Sequence, residues 1–245
     1  MMQKYFNRKK FKKLVKEIEL EHDTIIIFIT DDDNKMYYND HIISIENYDQ
    51  IITKLQKAEE NKKKIKLILH CGGGSIFSSD IIIKGLLKYE YNVESYIIKH
   101  AESASTLIAL SSNMIYMDKY AHLTPTDPQY DIMINNEVAT YSSKILLDYL
   151  DIIKNKKINH PDTLSILESL DSKSNHFDNI STINTILDKR HNQIQNREVI
   201  INLFCSGEYP HSKPIDYYDL QKLQLHAQLG IPQYIYQLFY LFLGC

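Results

Sequence analysis

The 245-residue chain has no tryptophan, three cysteines, seven glycines and six prolines, and it lacks any long uninterrupted apolar run. Cys71, Cys205 and Cys245 are too few and too scattered for a disulfide framework, and they show no CxxC-type ligand spacing. Neither a stapled secreted scaffold nor a metal module is therefore expected, and a cytoplasmic or other reducing intracellular compartment is. No stretch approaches 18 consecutive apolar residues, which argues against an integral membrane segment. The basic opening MMQKYFNRKKFKKLVKEIE is not followed by an apolar run of signal-peptide length, so no signal peptide is expected. Charge of one sign is not in excess either. Lys and Arg number 28 against 31 Asp and Glu, a formal net charge of -3, which argues against a broad nucleic-acid surface. Neither GxGxxG nor GxxxxGK occurs, so no nucleotide fingerprint is present and no cofactor is expected. The missing tryptophan, the eighteen tyrosines and the many Ile, Asn and Lys residues reflect coding bias more than function.

What is present suffices for a core: 44% of residues are apolar and 24% charged. The chain reads as one α/β domain over 21–228, preceded by an amphipathic helix within 1–20 and followed by an apolar tail, 229–245. Phe11, Leu14, Val15 and Ile18 give the first helix an apolar face, for packing on the domain or for peripheral contact with an anionic membrane. A strand is predicted at 24–30, a turn at 31–34, a hairpin-like excursion over 36–45 and a helix at 47–60. Strands at 65–69, 93–98 and 114–117 then alternate with helices at 77–89 and 106–112. Such alternation predicts a mostly parallel sheet with ligands beyond the strand C-termini. Further on, helices are expected at 137–153, 163–170, 180–201 and 217–228, with loops at 154–162 and 206–216.

Two loops carry the chemistry. HCGGGS at 70–75 follows one strand, and its glycines permit close backbone approach to a ligand. An oxyanion hole, a phosphate site and simple tight packing are all open to such a turn. KHAESAS at 99–105 follows the next strand and sets Ser103 at a helix entrance, where N–H groups favour a developing anion. Gly74 and Ala104 are the candidate backbone donors. A serine hydroxyl needs a base to take its proton. His70 and His100 adjoin the loops, Glu102 adjoins the serine, and Gly73 adjoins the donor.

HCGGGSIFSSDII, then HAESASTLIALSSNMIYMDKYAHLTPTDPQ, then FCSGEYPHSKPI at 204–215 resemble the serine dehydrogenase proteinase family. That family lies within the Clp protease–crotonase fold group and is similar to signal peptide peptidases. The resemblance covers roughly residues 20–228. It implies a repeated ββα spiral with a helical C-terminal extension, and a serine peptidase working through a Ser103 acyl-enzyme with a Gly74/Ala104 oxyanion hole. It implies a lysine general base, placed at Lys173 with Lys144 as the rival, and a trimer-based or larger homo-oligomer acting on polypeptide. Gly72 stands where the family's turn has proline, Glu102 adds a carboxylate beside the nucleophile, and His122 lies out of register for a Clp-type base. An inactive peptide-binding or scaffold member of the fold is the alternative, and a crotonase-like acyl-CoA enzyme a further one. His211 and Asp127 fall within the matching distal segments, as an edge residue and a turn residue respectively.

Overall fold

The computed structural model describes residues 2–30, 45–134, 137–155 and 163–244. The expected turn at 31–34 and excursion over 36–44 lie outside them, as do Cys245 and most of the 154–162 loop.

Continuous β-branched and leucine-rich runs bury strands on both faces, the pattern of a parallel sheet covered on each side. β1 (Thr24–Thr30), β2 (Lys64–Cys71), β3 (Val93–Ala101) and β4 (Met114–Met117) pair side by side, all parallel. β5 (His122–Leu123) extends the line of β4 along β3, through His100↔His122 and Ala101↔Leu123. The sequence reading omits the strand beyond β4. β8 (Ala227–Leu229) pairs with it in parallel, where a helix over 217–228 was expected; the helix there, α8 (Tyr217–Lys222), stops short. HAQL has little β-branched content, and backbone bonds from Ile115 N to His226 O and from Gly230 N to Met117 O carry this edge.

Period-two alternation sends successive strand residues to opposite faces. One face, with Ile65, Leu67, Leu69, Ile97, Ala101 and Ile115, packs under α2 (Ile45–Glu60), α3 (Ile76–Lys88), α4 (Ala104–Leu110), α6 (Thr163–Arg190) and α7 (Arg197–Cys205). The other, with Ile26, Phe28, Ile68, Tyr96 and Ile98, is covered by α1 (Met2–Glu21) and α9 (Gln233–Leu243). Phe11 and Ile18 of α1 are buried against Phe239 and Phe242 of α9, so the apolar face that membrane contact would use is occupied within the fold. No helix among the described residues is long and apolar enough to cross a membrane.

Two further regions depart from expectation. Residues 137–153 are not one helix. β6 (Gln129–Ile134) and β7 (Glu137–Ser142) form an antiparallel pair, and α5 (Ser143–Lys154) follows. Val138, Thr140 and Tyr141 are strand formers, and the two residues separating the strands in sequence are Asn135 and Asn136. The helices expected at 163–170 and 180–201 are instead one 28-residue helix, α6, followed by α7. The polar stretch between them continues the helix because its Ser172 and Asn179 are buried against the rest of the domain.

Candidate active site

β3 ends at Ala101 and α4 begins at Ala104, leaving Glu102 and Ser103 to make the turn. Ser103 adopts φ 51°, ψ -120°, a conformation that side chains of L-residues rarely occupy. Its N–H donates to Thr124 Oγ1 at 2.9 Å. Thr106 Oγ1 donates to Ala101 O at 2.9 Å and to Thr124 O at 3.0 Å, tying the helix start to both strand ends. The serine hydroxyl makes no capping bond to α4.

The glycine turn lies directly against this elbow. Gly73 has φ +113°, and a Cβ there would stand 2.9 Å from Ser103 Cβ and 3.1 Å from Glu102 O. Cys71, buried at the end of β2, holds the turn: Gly73 N–H donates to its sulfur at 3.4 Å, and its thiol donates back to Gly73 O at 3.3 Å. Neighbouring N–H groups are committed, Gly73 to that sulfur, Ser103 to Thr124, Ser105 to Glu102 O and Thr106 to Ser103 O. No hydrogen bond joins the Gly74 or Ala104 N–H group to another described residue, and both groups stand beside the serine as candidate donors to a developing oxyanion.

Gly74, Ser103 and Ala104 open onto one cleft of about 720 Å³, walled by α3 and by Asn175, Asn179 and Thr182 of α6. His211 and Gln129 line it too. The distal loop reaches the cleft because Leu123 and Ile215 exchange backbone bonds of 2.9 Å, while Thr126 N donates to Phe204 O at 2.7 Å. His211 Nδ1 then lies 2.9 Å from Asp127 Oδ1. The Asp127 side chain is wholly buried, and its other oxygen accepts from Gln129 Nε2 at 2.6 Å. Asn179 Nδ2 donates to Thr126 O at 3.0 Å, and Asn175 Nδ2 to Tyr130 Oη at 2.6 Å. Sequence reasoning missed both asparagines. Their signal is a polar run that keeps helical spacing, with i and i+4 residues on one face.

The remaining candidates fall elsewhere. Glu102 turns from the cleft to the face under α9, 3.1 Å from His122 Nε2 and 3.5 Å from His100 Nδ1. His100 packs edge-on against His70, and His70 against Phe239. Lys173 is exposed, with its ammonium 5.9 Å from the Phe177 ring centre, and does not line the cleft. Lys144, in the first turn of α5, is gripped by both Asp148 oxygens at 2.6 and 2.7 Å, with Glu208 at 3.8 Å. The bond to Asp148 raises its pKa above the ordinary lysine value. His176, 3.3 Å from Ser143 Oγ, is held below the usual histidine range, first by burial and also by nearby Lys144, against the opposing pull of Asp127. Among the described residues no group of three or more His, Cys, Asp and Glu could hold a metal ion.

A parallel α/β sheet with a strained serine elbow packed on a glycine turn defines a Clp-type hydrolase fold. The family's sequence model, described as ClpP-like SDH-type serine proteinase, matches residues 1–244, and the chain belongs to that family. Two uncharacterized proteins of Methanocaldococcus jannaschii are similar to it. MJ0137 is 25% identical over 202 residues, 82% of this chain and 65% of that protein, so the chain spans just under two thirds of its length. MJ1495 is 24% identical over 246 residues, 99% of this chain and 79% of that protein. Among solved structures, a serine-to-alanine mutant of the membrane-bound stomatin-specific protease 1510-N superposes with a TM-score of 0.53 at 16% identity, over 82% of this chain and 79% of that one. That likeness extends to the fold.

Proposed function

We propose that the protein is a serine peptidase in which Ser103 attacks a peptide carbonyl, the Gly74 and Ala104 N–H groups hold the oxyanion, and water hydrolyses the acyl-enzyme. The observation that carries this reading is the Ser103 elbow, positive in φ and pressed by Gly73, at the mouth of a cleft that Gly74 and Ala104 also line. Strain of this kind costs on the order of 1–3 kcal/mol and persists where the surroundings enforce it. Family membership, and a polypeptide-cleaving structural neighbour, support peptide as the substrate class. The orientation of Glu102 toward His100 and His122 removes its charge from the oxyanion position, which favours catalysis over an inactive scaffold.

The placement of neither lysine supports the expected lysine base, since Lys173 is exposed outside the cleft and Lys144 is clamped as an ammonium. Exposed apolar side chains on β6, β7, α5 and α6, among them Met133, Val138, Ile145 and Phe177, support a homo-oligomer. The deciding experiment is labelling by a serine-directed fluorophosphonate. Covalent modification should appear in the native chain and disappear in Ser103→Ala; labelling that survives this substitution rejects the assignment.

A further inference from the structure

Resting on the serine chemistry just proposed, we infer that Thr124 is the positioning residue that holds Ser103 and the Ala104 N–H in attacking geometry. Glu102, Ser103, Ala104 and Ser105 make a tight turn, closed by a bond of 2.9 Å from Ser105 N–H to Glu102 O. With φ 51° and ψ -120°, Ser103 takes the first central place of a type II′ turn, where glycine is the usual occupant. A serine held there relaxes unless its surroundings resist. Two consecutive peptide planes set the elbow. The Glu102–Ser103 plane is pinned at its oxygen by Ser105 and at its N–H by Thr124 Oγ1, 2.9 Å away. The Ser103–Ala104 plane follows, its oxygen accepting from Thr106 N–H at 2.9 Å. A trans peptide points its N–H opposite to its carbonyl, so Ala104 N–H faces away from the helix body, and Ala104 lines the cleft. Only the φ and ψ of Ser103 lie between the two planes. Turning the first therefore re-aims both the serine side chain and the Ala104 donor.

The threonine hydroxyl is itself oriented. Thr124 Oγ1 donates to Pro125 O at 3.2 Å, which leaves its lone pairs for Ser103 N–H. Its backbone is fastened to the start of α4, since Thr124 N–H donates to Thr106 Oγ1 at 3.2 Å and Thr124 O accepts from that hydroxyl at 3.0 Å. Thr106 is fully buried and Thr124 is 2% exposed, so bulk water does not stand in for either hydroxyl. β5 leads straight into the latch, and its Leu123 pairs with Ala101 at the end of β3. The bond also withholds the serine's own N–H from the oxyanion position and reserves that position for the donors on either side.

The test is fluorophosphonate labelling of full-length variants over a range of reagent concentrations, which separates the maximal rate from the half-saturating concentration. Thr124→Val keeps the shape of the side chain and loses the acceptor; its maximal rate should fall ~100-fold, with half-saturation unchanged. Thr124→Ser restores the acceptor and should recover most of the lost rate, which a role in packing alone would not produce. Urea unfolding followed by circular dichroism separates folding from chemistry. Should the valine chain not fold, Thr124→Ala, which also lacks the acceptor, gives the same comparison with serine. A folded valine or alanine chain with the native maximal rate, a loss confined to half-saturation, or a serine chain no faster than the others overturns the latch and leaves the Ser103 reading standing. Absence of Ser103-dependent labelling in the native chain overturns both.

Discussion

Gly73 and Ser103 approach so closely that a single methyl group on the glycine would lie 2.9 Å from the serine's Cβ. Two loops separated by a strand and a helix thus form one rigid element, and the fit fixes the residue at position 73.

Gly73→Ala should therefore abolish Ser103-dependent labelling and lower stability by about 1–3 kcal/mol, combining the positive φ with backbone overlap. Gly230 is the control. It has φ +104° with nothing within 4 Å of a built Cβ, so Gly230→Ala carries only the conformational cost. Urea unfolding of the two variants separates contact from strain, and equal losses would refute the role given to the close approach.

Asn179→Ala should cost about 1–3 kcal/mol, since it leaves Thr126 O and Thr126 Oγ1 in a buried site without their Asn179 partner. Asn179 and Thr126 also line the cleft that holds Ser103, so labelling should slow as well. A variant with native stability and native labelling would show that this asparagine supports nothing.

His191 is fully buried, its Nε2 3.0 Å from Leu110 O and its Nδ1 accepting from His226 N at 3.3 Å. Burial pushes its pKa down to about 4 from 6.5. Between those values the unfolded chain binds the extra proton, so this contribution to stability is complete above pH 6.5 and is lost as pH falls toward 4. The loss amounts to roughly 3 kcal/mol. Denaturation midpoints measured from pH 7 to pH 4.5 should fall accordingly, and His191→Gln should flatten the dependence. An unchanged slope in that variant would assign the acid sensitivity elsewhere.

Burial also pushes the Cys205 thiol up to about 12, aided by the nearby Asp127 charge and opposed by a bond to Thr126. At pH 8 a thiol reagent should leave Cys205 unmodified in the native protein and modify it on unfolding. Mass spectrometry of the peptide spanning 197–205 checks this, and rapid native modification would contradict the packing.

Met133 and Val138 are cross-strand partners, 70% and 64% exposed, on the hairpin of β6 and β7. If the chain self-associates through this hairpin as proposed, replacing both with lysine should lower the mass measured in sedimentation while leaving the circular dichroism spectrum unchanged. An unaltered mass would remove this hairpin from the self-association surface.

The strands and helices around the elbow were legible because apolar runs such as IKLIL and TIIIFIT end at glycine or small polar residues. Ser103, Gly74 and Ala104 could be singled out for the same reason. The contact between His211 and Asp127 was not legible. Asp127 and His211 are 84 residues apart, and only the pairing of Leu123 with Ile215 brings their segments together. Polar residues of α6 were misread as a break because Asn175 and Asn179 face the cleft, where a helix carries side chains chosen for bonding rather than for burial in oil. β8 escaped detection because its place in the sheet depends on backbone pairing with β4 more than on side-chain pattern.

The clasp of α1 by α9 has a consequence for how the molecule is made. During synthesis, Phe28, Ile68 and Tyr96 sit on strands that can assemble early, but the aromatic layer over them is incomplete until residue 243 has left the ribosome. Contacts this distant in sequence form slowly. The apolar flank of these strands therefore stays uncovered for most of translation, the kind of transiently exposed surface that favours aggregation.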